Sequence, residues 1–316
     1  MRGGRARERT TPPPPAVSSR RVADRPHSLS EPNPSFLLRY LVKRARFATP
    51  LLSGRPAVTY ACYRTASTAV HHAIRRAGLG VSVKAHMLAP GNMVGRVRER
   101  QSFAHAGTSI PKSCHVGDWA VRRGILEPGR EADFVVLLRD PWAVAHSLFV
   151  LAIAQRDTVF ATPPRDAGER AQLVDRAEAI LFGEFPRDIM VRWIREDLRP
   201  ALGWNPLAEP FDLDRGASGY ERGPWRIQLM RADIPDERKS DALRAFFRRP
   251  SISVAPKNAA LSHRHTRSEI ADIAREAIAR RPHEVAALLD DEVCRHFWSD
   301  RERESMHARW TATQHA

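Results

Sequence analysis

Cysteine is scarce in this chain: Cys62, Cys114 and Cys294 are the only ones in 316 residues. An odd, widely spaced set fits neither a disulfide framework nor a metal-ligand pattern, and a reducing compartment is expected. Long hydrophobic runs are also lacking. The most apolar window, "FVVLLRDPWAVAHSLFVLAIA", is broken by Arg139-Asp140-Pro141, whereas a bilayer-spanning helix needs about 20 uninterrupted apolar residues. No apolar segment of the secretory type follows the basic N-terminus, so a cytoplasmic protein is expected. Aromatics make up only 7% of the chain, and its arginines are spread rather than grouped. That speaks against a nucleic-acid surface built as a basic stripe with interleaved rings. Acid is short relative to base, 36 residues against 51, for a formal charge of +15. The excess suits an anionic partner: nucleic acid, a membrane surface, an acidic polysaccharide or a phosphorylated nucleotide. It equally describes a generally basic surface.

The first 35 residues hold seven of the 24 prolines, with scattered arginine and serine, a composition that favours a disordered tail. Residues 36–316 are expected to form a single domain. It opens on "FLLRYLVKRARF", residues 36–47, where four cations sit among apolar residues. Such a segment is either a short helix packed on the domain or an amphipathic helix on a membrane surface. The following chain alternates in type. "AVTYACY", "GVSVKAHM" and "DFVVLLRD" read as strands, and "STAVHHAIRRAG" and "PWAVAHSLFVLAIAQ" as helices, the second with Asp140 as N-cap and Pro141 in its first turn. This order predicts an α/β fold with a central parallel sheet of four or five strands flanked by helices. The second half reads as mostly helical, with one late strand at "PWRIQLMRADI" and helices at 167–185, 187–203, 236–247, 268–281 and 284–298.

Two places carry chemistry. The bend between the first strand and helix reads Arg64-Thr65-Ala66-Ser67-Thr68. A strand–loop–helix junction offers backbone N–H groups at the positive end of a helix dipole, which suits an anion. The hydroxyls of Thr65, Ser67 and Thr68 and the fork of Arg64 add donors, although hydroxyls ahead of a helix are also plain N-caps. Both glycines and the lysine of the nucleoside-triphosphate motif G-x-x-x-x-G-K-[ST] are missing. Asp140 is the one acidic candidate for a magnesium partner at a strand end. The second place is Arg139, ending a buried strand, with Ser147 about two helical turns further on.

Together the two motifs resemble the nucleotide site of the sulfotransferases that use 3′-phosphoadenosine 5′-phosphosulfate (PAPS). The loop is similar to that of the uronyl 2-O-sulfotransferases, which also read Thr-Ala-Ser-Thr but carry lysine where this chain has Arg64. The resemblance implies a P-loop-like fold. It also implies that loop 64–68 holds the 5′-phosphosulfate, that Arg64 stabilises charge on the leaving nucleotide, and that Arg139 and Ser147 hold the 3′-phosphate. No metal is required. The acceptor's proton needs a base, and histidine suits that role near neutral pH. His115, in "KSCHVGDWAVRRG", resembles the His-Val segment carrying the base in the 2-O-sulfotransferases. His86, in Lys84-Ala85-His86, resembles the Lys-Thr-His motif of the cytosolic branch. His71 and His72 are expected to be structural. The later chain, from "WIREDLRPALGW" through the loop "PFDLDRGASGY" to "DALRAFF", resembles bacterial capsular polysaccharide synthesis proteins, which implies a carbohydrate or glycolipid acceptor near that loop. Lys257 and Asn258 are candidates to close over the nucleotide. Two alternatives remain open: a P-loop phosphotransferase using ATP, and a basic nucleic-acid-binding protein without catalysis.

Overall fold

The computed structural model describes residues 55–89, 112–255 and 264–312, together with positions 38, 42 and 45. The strands are β1 (Ala57–Ala61), β2 (Ser82–Ala85), β3 (Ala132–Leu138), β4 (Ala217–Arg222) and β5 (Trp225–Arg231). Every residue of β1 and β3 is buried, as a parallel sheet covered by helices requires, whereas β2 and β4 carry partly or fully exposed positions. The five-stranded sheet has the order β2-β1-β3-β5-β4. All its pairings are parallel except β4 with β5.

That last pairing corrects the expectation of a wholly parallel sheet. The end of "PFDLDRGASGY", expected as loop, is edge strand β4. Only Gly223 and Pro224 join it to β5, with Gly223 at φ 54°. A two-residue link can make a hairpin but cannot carry a chain back to a parallel start.

Helices among the described residues include α1 (Ser67–Arg76), α2 (Lys112–Val121), α3 (Pro141–Arg156), α4 (Ala167–Gly183), α5 (Ile189–Trp193), α6 (Arg199–Leu202), α7 (Asp236–Phe247), α8 (Arg264–Ala279), α9 (Pro282–Leu289), α10 (Glu292–Phe297) and α11 (Asp300–Thr311). The stretch expected as one helix over 187–203 carries a π-helical turn, Ile194–Leu198, between α5 and α6. The stretch 284–298 divides into α9 and α10, because Asp291 caps a new helix by accepting from the Val293 amide. The final helix, α11, lies beyond those expected. His115 lies within α2.

Strand alternation sends the two faces of the sheet into different cores. Val58, Tyr60, Phe134, Val136 and Leu138 join the larger core, with Trp142, Trp193 and Trp298. Ala57, Ala61, Val135 and Leu137 join a smaller one, with Val70 and Ile74 of α1 and Leu243 of α7. Among the described residues no helix is long and apolar enough to cross a membrane. Of residues 36–47, positions 38, 42 and 45 are described as helical; Leu38 and Val42, one turn apart, are 64% and 46% exposed.

Candidate functional site

The bend after β1 is conformationally expensive. Arg64 and Ala66 both take left-handed φ, 64° and 56°, at about 1–3 kcal/mol for each non-glycine residue held there. Thr65 braces the turn between them. Its side chain is buried, and its Oγ1 donates to the Cys62 carbonyl at 2.8 Å. Thr65 therefore shapes the loop instead of offering its proton outward. Alternating left- and right-handed residues curl backbone N–H groups into a concavity that suits an anion. The N-cap of α1 is Ala66, which provides no side-chain hydrogen bond. Plain hydroxyl capping, the simpler reading of this Ser/Thr cluster, therefore does not describe it. Ser67 is buried at the first helical position. Thr68 Oγ1 accepts from Lys84 Nζ of the adjacent strand β2 at 3.0 Å.

The second motif meets the first directly. Arg139 follows the last residue of β3 and donates Nη1 to the Arg64 carbonyl at 2.5 Å. Arg64 Nε donates to Ser147 Oγ of α3 at 2.8 Å. Arg139, Ser147 and the 64–68 loop, distant in sequence, thus form one polar cluster beyond the carboxyl ends of β1 and β3. Burial pushes the Arg139 guanidinium below its usual proton affinity; Asp140 opposes the shift, and the like charges of Arg64 and Arg309 reinforce it. Arginine holds its proton regardless, so the cluster stays cationic.

Asp140 is fully engaged. It is 1% exposed, its Oδ1 accepts from the Trp142 amide at 2.8 Å, and its Oδ2 accepts from Trp310 Nε1 at 2.7 Å and from Arg309 Nη2. It caps α3, as the sequence implies, and ties the last helix to the end of β3. Three donors occupy most of its roughly four lone-pair sites, and it is buried, which leaves it a poor magnesium ligand.

His86 is only 3% exposed. Its ring stacks on Tyr63, with centroids 4.4 Å apart, and its Nδ1 lies 2.7 Å from the Ala61 carbonyl. A carbonyl can only accept, so Nδ1 carries a proton, and the nitrogen of this ring that could act as a base is Nε2. The backbone on either side is pinned as well: the His86 amide donates to Asp118 Oδ1 at 2.6 Å, and Trp193 Nε1 donates to the His86 carbonyl at 2.7 Å. His115 belongs to α2, which packs so closely on β2 that Gly117 abuts the Lys84 carbonyl; its side chain lies outside the described residues. Lys257 and Asn258 also lie outside them. His71 Nδ1 pairs with Ser82 Oγ at 3.2 Å, linking α1 to β2.

The sequence reading passed over Lys84, although it belongs to the Lys84-Ala85-His86 stretch singled out for its histidine. Arg309 carried no sequence signal of its own. A cavity of about 1000 Å³ lies between the 209–215 loop, β4 and α7, lined by Phe211, Asp212, Asp214, Tyr220, Arg238 and Phe246 among others. None of Arg64, Lys84, His86, Arg139 or Ser147 lines it. No protein-family model, no curated protein and no solved structure matches this chain.

Proposed function

We propose that this chain is a PAPS-dependent sulfotransferase with a P-loop-like donor site, acting on a hydroxyl of a carbohydrate or glycolipid. One observation carries the reading: the Arg139 → Arg64 carbonyl and Arg64 → Ser147 hydrogen bonds draw both motifs into a single cationic cluster. The concave loop and the start of α1 receive the 5′-phosphosulfate; Arg139 and Ser147 receive the 3′-phosphate. The acceptor oxygen attacks sulfur as the bond from sulfur to the bridging phosphate oxygen breaks. The acceptor proton passes to a histidine, and the electron pair of the broken bond leaves on adenosine 3′,5′-bisphosphate. His86, with Nε2 as its basic nitrogen, is the base supported by described contacts; His115 remains the alternative from sequence. Most of the rate gain in such a site comes from alignment and fixed charges.

The ATP-dependent alternative is disfavoured by the engagement of Asp140, the acidic candidate for magnesium, with three internal donors. Calorimetric titration with adenosine 3′,5′-bisphosphate is the test, beside ATP with magnesium. Micromolar binding of the bisphosphate, weakened about tenfold or more in Arg139→Ala by loss of a charge-assisted contact, is the expected result. Tight, magnesium-dependent ATP binding without bisphosphate binding would overturn the reading.

A further inference from the structure

Resting on that reading, the geometry points to a division of labour among the cations that differs from the one the loop sequence suggests: Arg64 belongs with the 3′-phosphate, and Lys84 of β2 supplies the cation at the 5′-phosphosulfate.

Arg64 is part of the loop, but its side chain leaves it. Nε donates to Ser147 on α3, the residue that forms the second sequence motif with Arg139, and the Arg64 carbonyl accepts from the Arg139 guanidinium. Backbone and side chain of Arg64 are thus both tied to the Arg139–Ser147 pair. The other end of the loop meets a different cation. Thr68 lies in the first turn of α1, where the helix amides begin, and Lys84 Nζ donates to its hydroxyl. Lysine is a compact point charge on a flexible stem, whereas arginine is a planar fork matched to a static phosphate. The chain thus places a flexible cation beside the helix start and rigid forks beside Ser147.

The sheet order separates the two groups. β2 and β3 flank β1 on opposite sides, about 10 Å apart at ordinary strand spacing. Two cationic centres on either side of one loop suit a ligand with two anionic groups, and they assign one group to each. The lysine absent from the loop is therefore supplied by the neighbouring strand.

Two ligands that differ only in the 3′-phosphate separate the assignments. Adenosine 3′,5′-bisphosphate and adenosine 5′-monophosphate are titrated against the full chain and its Arg64→Gln and Lys84→Met variants, with thermal unfolding to verify that each is folded. Arg64→Gln is expected to weaken the bisphosphate about tenfold and to leave the monophosphate nearly unchanged. Lys84→Met is expected to weaken both by the same factor. Arg64→Lys, which keeps the charge but loses the fork, is expected to fall between wild type and Arg64→Gln for the bisphosphate alone. Equal weakening of both ligands by Arg64→Gln, or weakening of the bisphosphate alone by Lys84→Met, would overturn the division. So would a wild-type chain that binds the bisphosphate but shows no monophosphate binding, because a separate 5′-site must hold a lone 5′-phosphate. A wild-type chain that binds neither ligand would instead overturn the donor reading beneath it.

Discussion

Replacing Gly117 by alanine tests how the packing of α2 on β2 positions the site. A Cβ at this position would stand 2.1 Å from the Lys84 carbonyl oxygen, 3.3 Å from its carbon and 3.6 Å from Val83 Cγ1. The first obstacle is backbone in a paired strand, so no side chain can swing aside to relieve it. Restoring ordinary contact requires α2 and β2 to part by on the order of 1 Å. Overpacking of this kind costs about 1–3 kcal/mol, offset by about 1 kcal/mol for the better helix propensity of alanine. The net expectation is a loss of up to about 2 kcal/mol, read by urea unfolding as a lower midpoint with unchanged slope. Gly183 provides the control. It ends α4, and a Cβ there would meet nothing within 4 Å, so Gly183→Ala should be neutral or stabilising by up to about 1 kcal/mol. Strand β2 carries Lys84 and leads into His86, and Asp118 of α2 accepts from the His86 amide. Gly117→Ala should therefore also weaken bisphosphate binding, while Gly183→Ala should not. A Gly117→Ala protein as stable as Gly183→Ala would refute the reasoning.

The remaining expectations concern the base, the α3 cap and a buried imidazole. His86→Asn should lower kcat by about 10²–10⁴, the usual loss of a general base, with bisphosphate affinity nearly intact; unchanged turnover in steady-state assays, with loss in His115→Ala, would move the role to His115. Asp140→Ala removes an N-cap and strands the Trp310 indole N–H, so a loss of about 2–3 kcal/mol is expected by chemical denaturation; the partner Arg309 is half-exposed and regains water. Burial holds the His146 imidazole below its usual proton affinity, with the Ala271 carbonyl opposing and Arg275 and Arg139 reinforcing. The unfolded chain therefore takes up this proton first on acidification. The contribution of His146 to stability is complete above the ordinary histidine pKa of about 6.5 and is lost as pH falls through the lower folded value. A melting series from neutral to acidic pH should show a shallower decline in His146→Gln than in wild type.

Much of the sheet was readable because its central strands are apolar on both faces. "DFVVLLRD" admits no other assignment once Asp140-Pro141 opens a helix behind it. The hairpin between β4 and β5 was harder to see, because Ala217, Ser218 and Gly219 are poor strand formers and the edge position tolerates them. The last helix did leave a sequence trace: Ser299 and Glu302 form a reciprocal capping box. In the site, the two motifs were legible as separate clusters of polar and cationic residues at strand ends. The role of Thr65 was not, because a hydroxyl in a loop sequence does not reveal whether it faces a ligand or its own backbone.

The sequence by itself determined the alternation of strand and helix, the strand–loop–helix bend at 64–68, the Asp140 cap and the placing of Arg139 and Ser147 on consecutive elements. These are local matters, governed by burial pattern, spacing and backbone preference. Which cation meets which hydroxyl was decided only by the tertiary structure. Lys84 reaches Thr68 because β2 pairs with β1 on the side away from β3, and Arg64 reaches Ser147 because β3 delivers α3 to the other side. Strand order is set by how the whole chain buries its apolar faces, and no short stretch of residues encodes it.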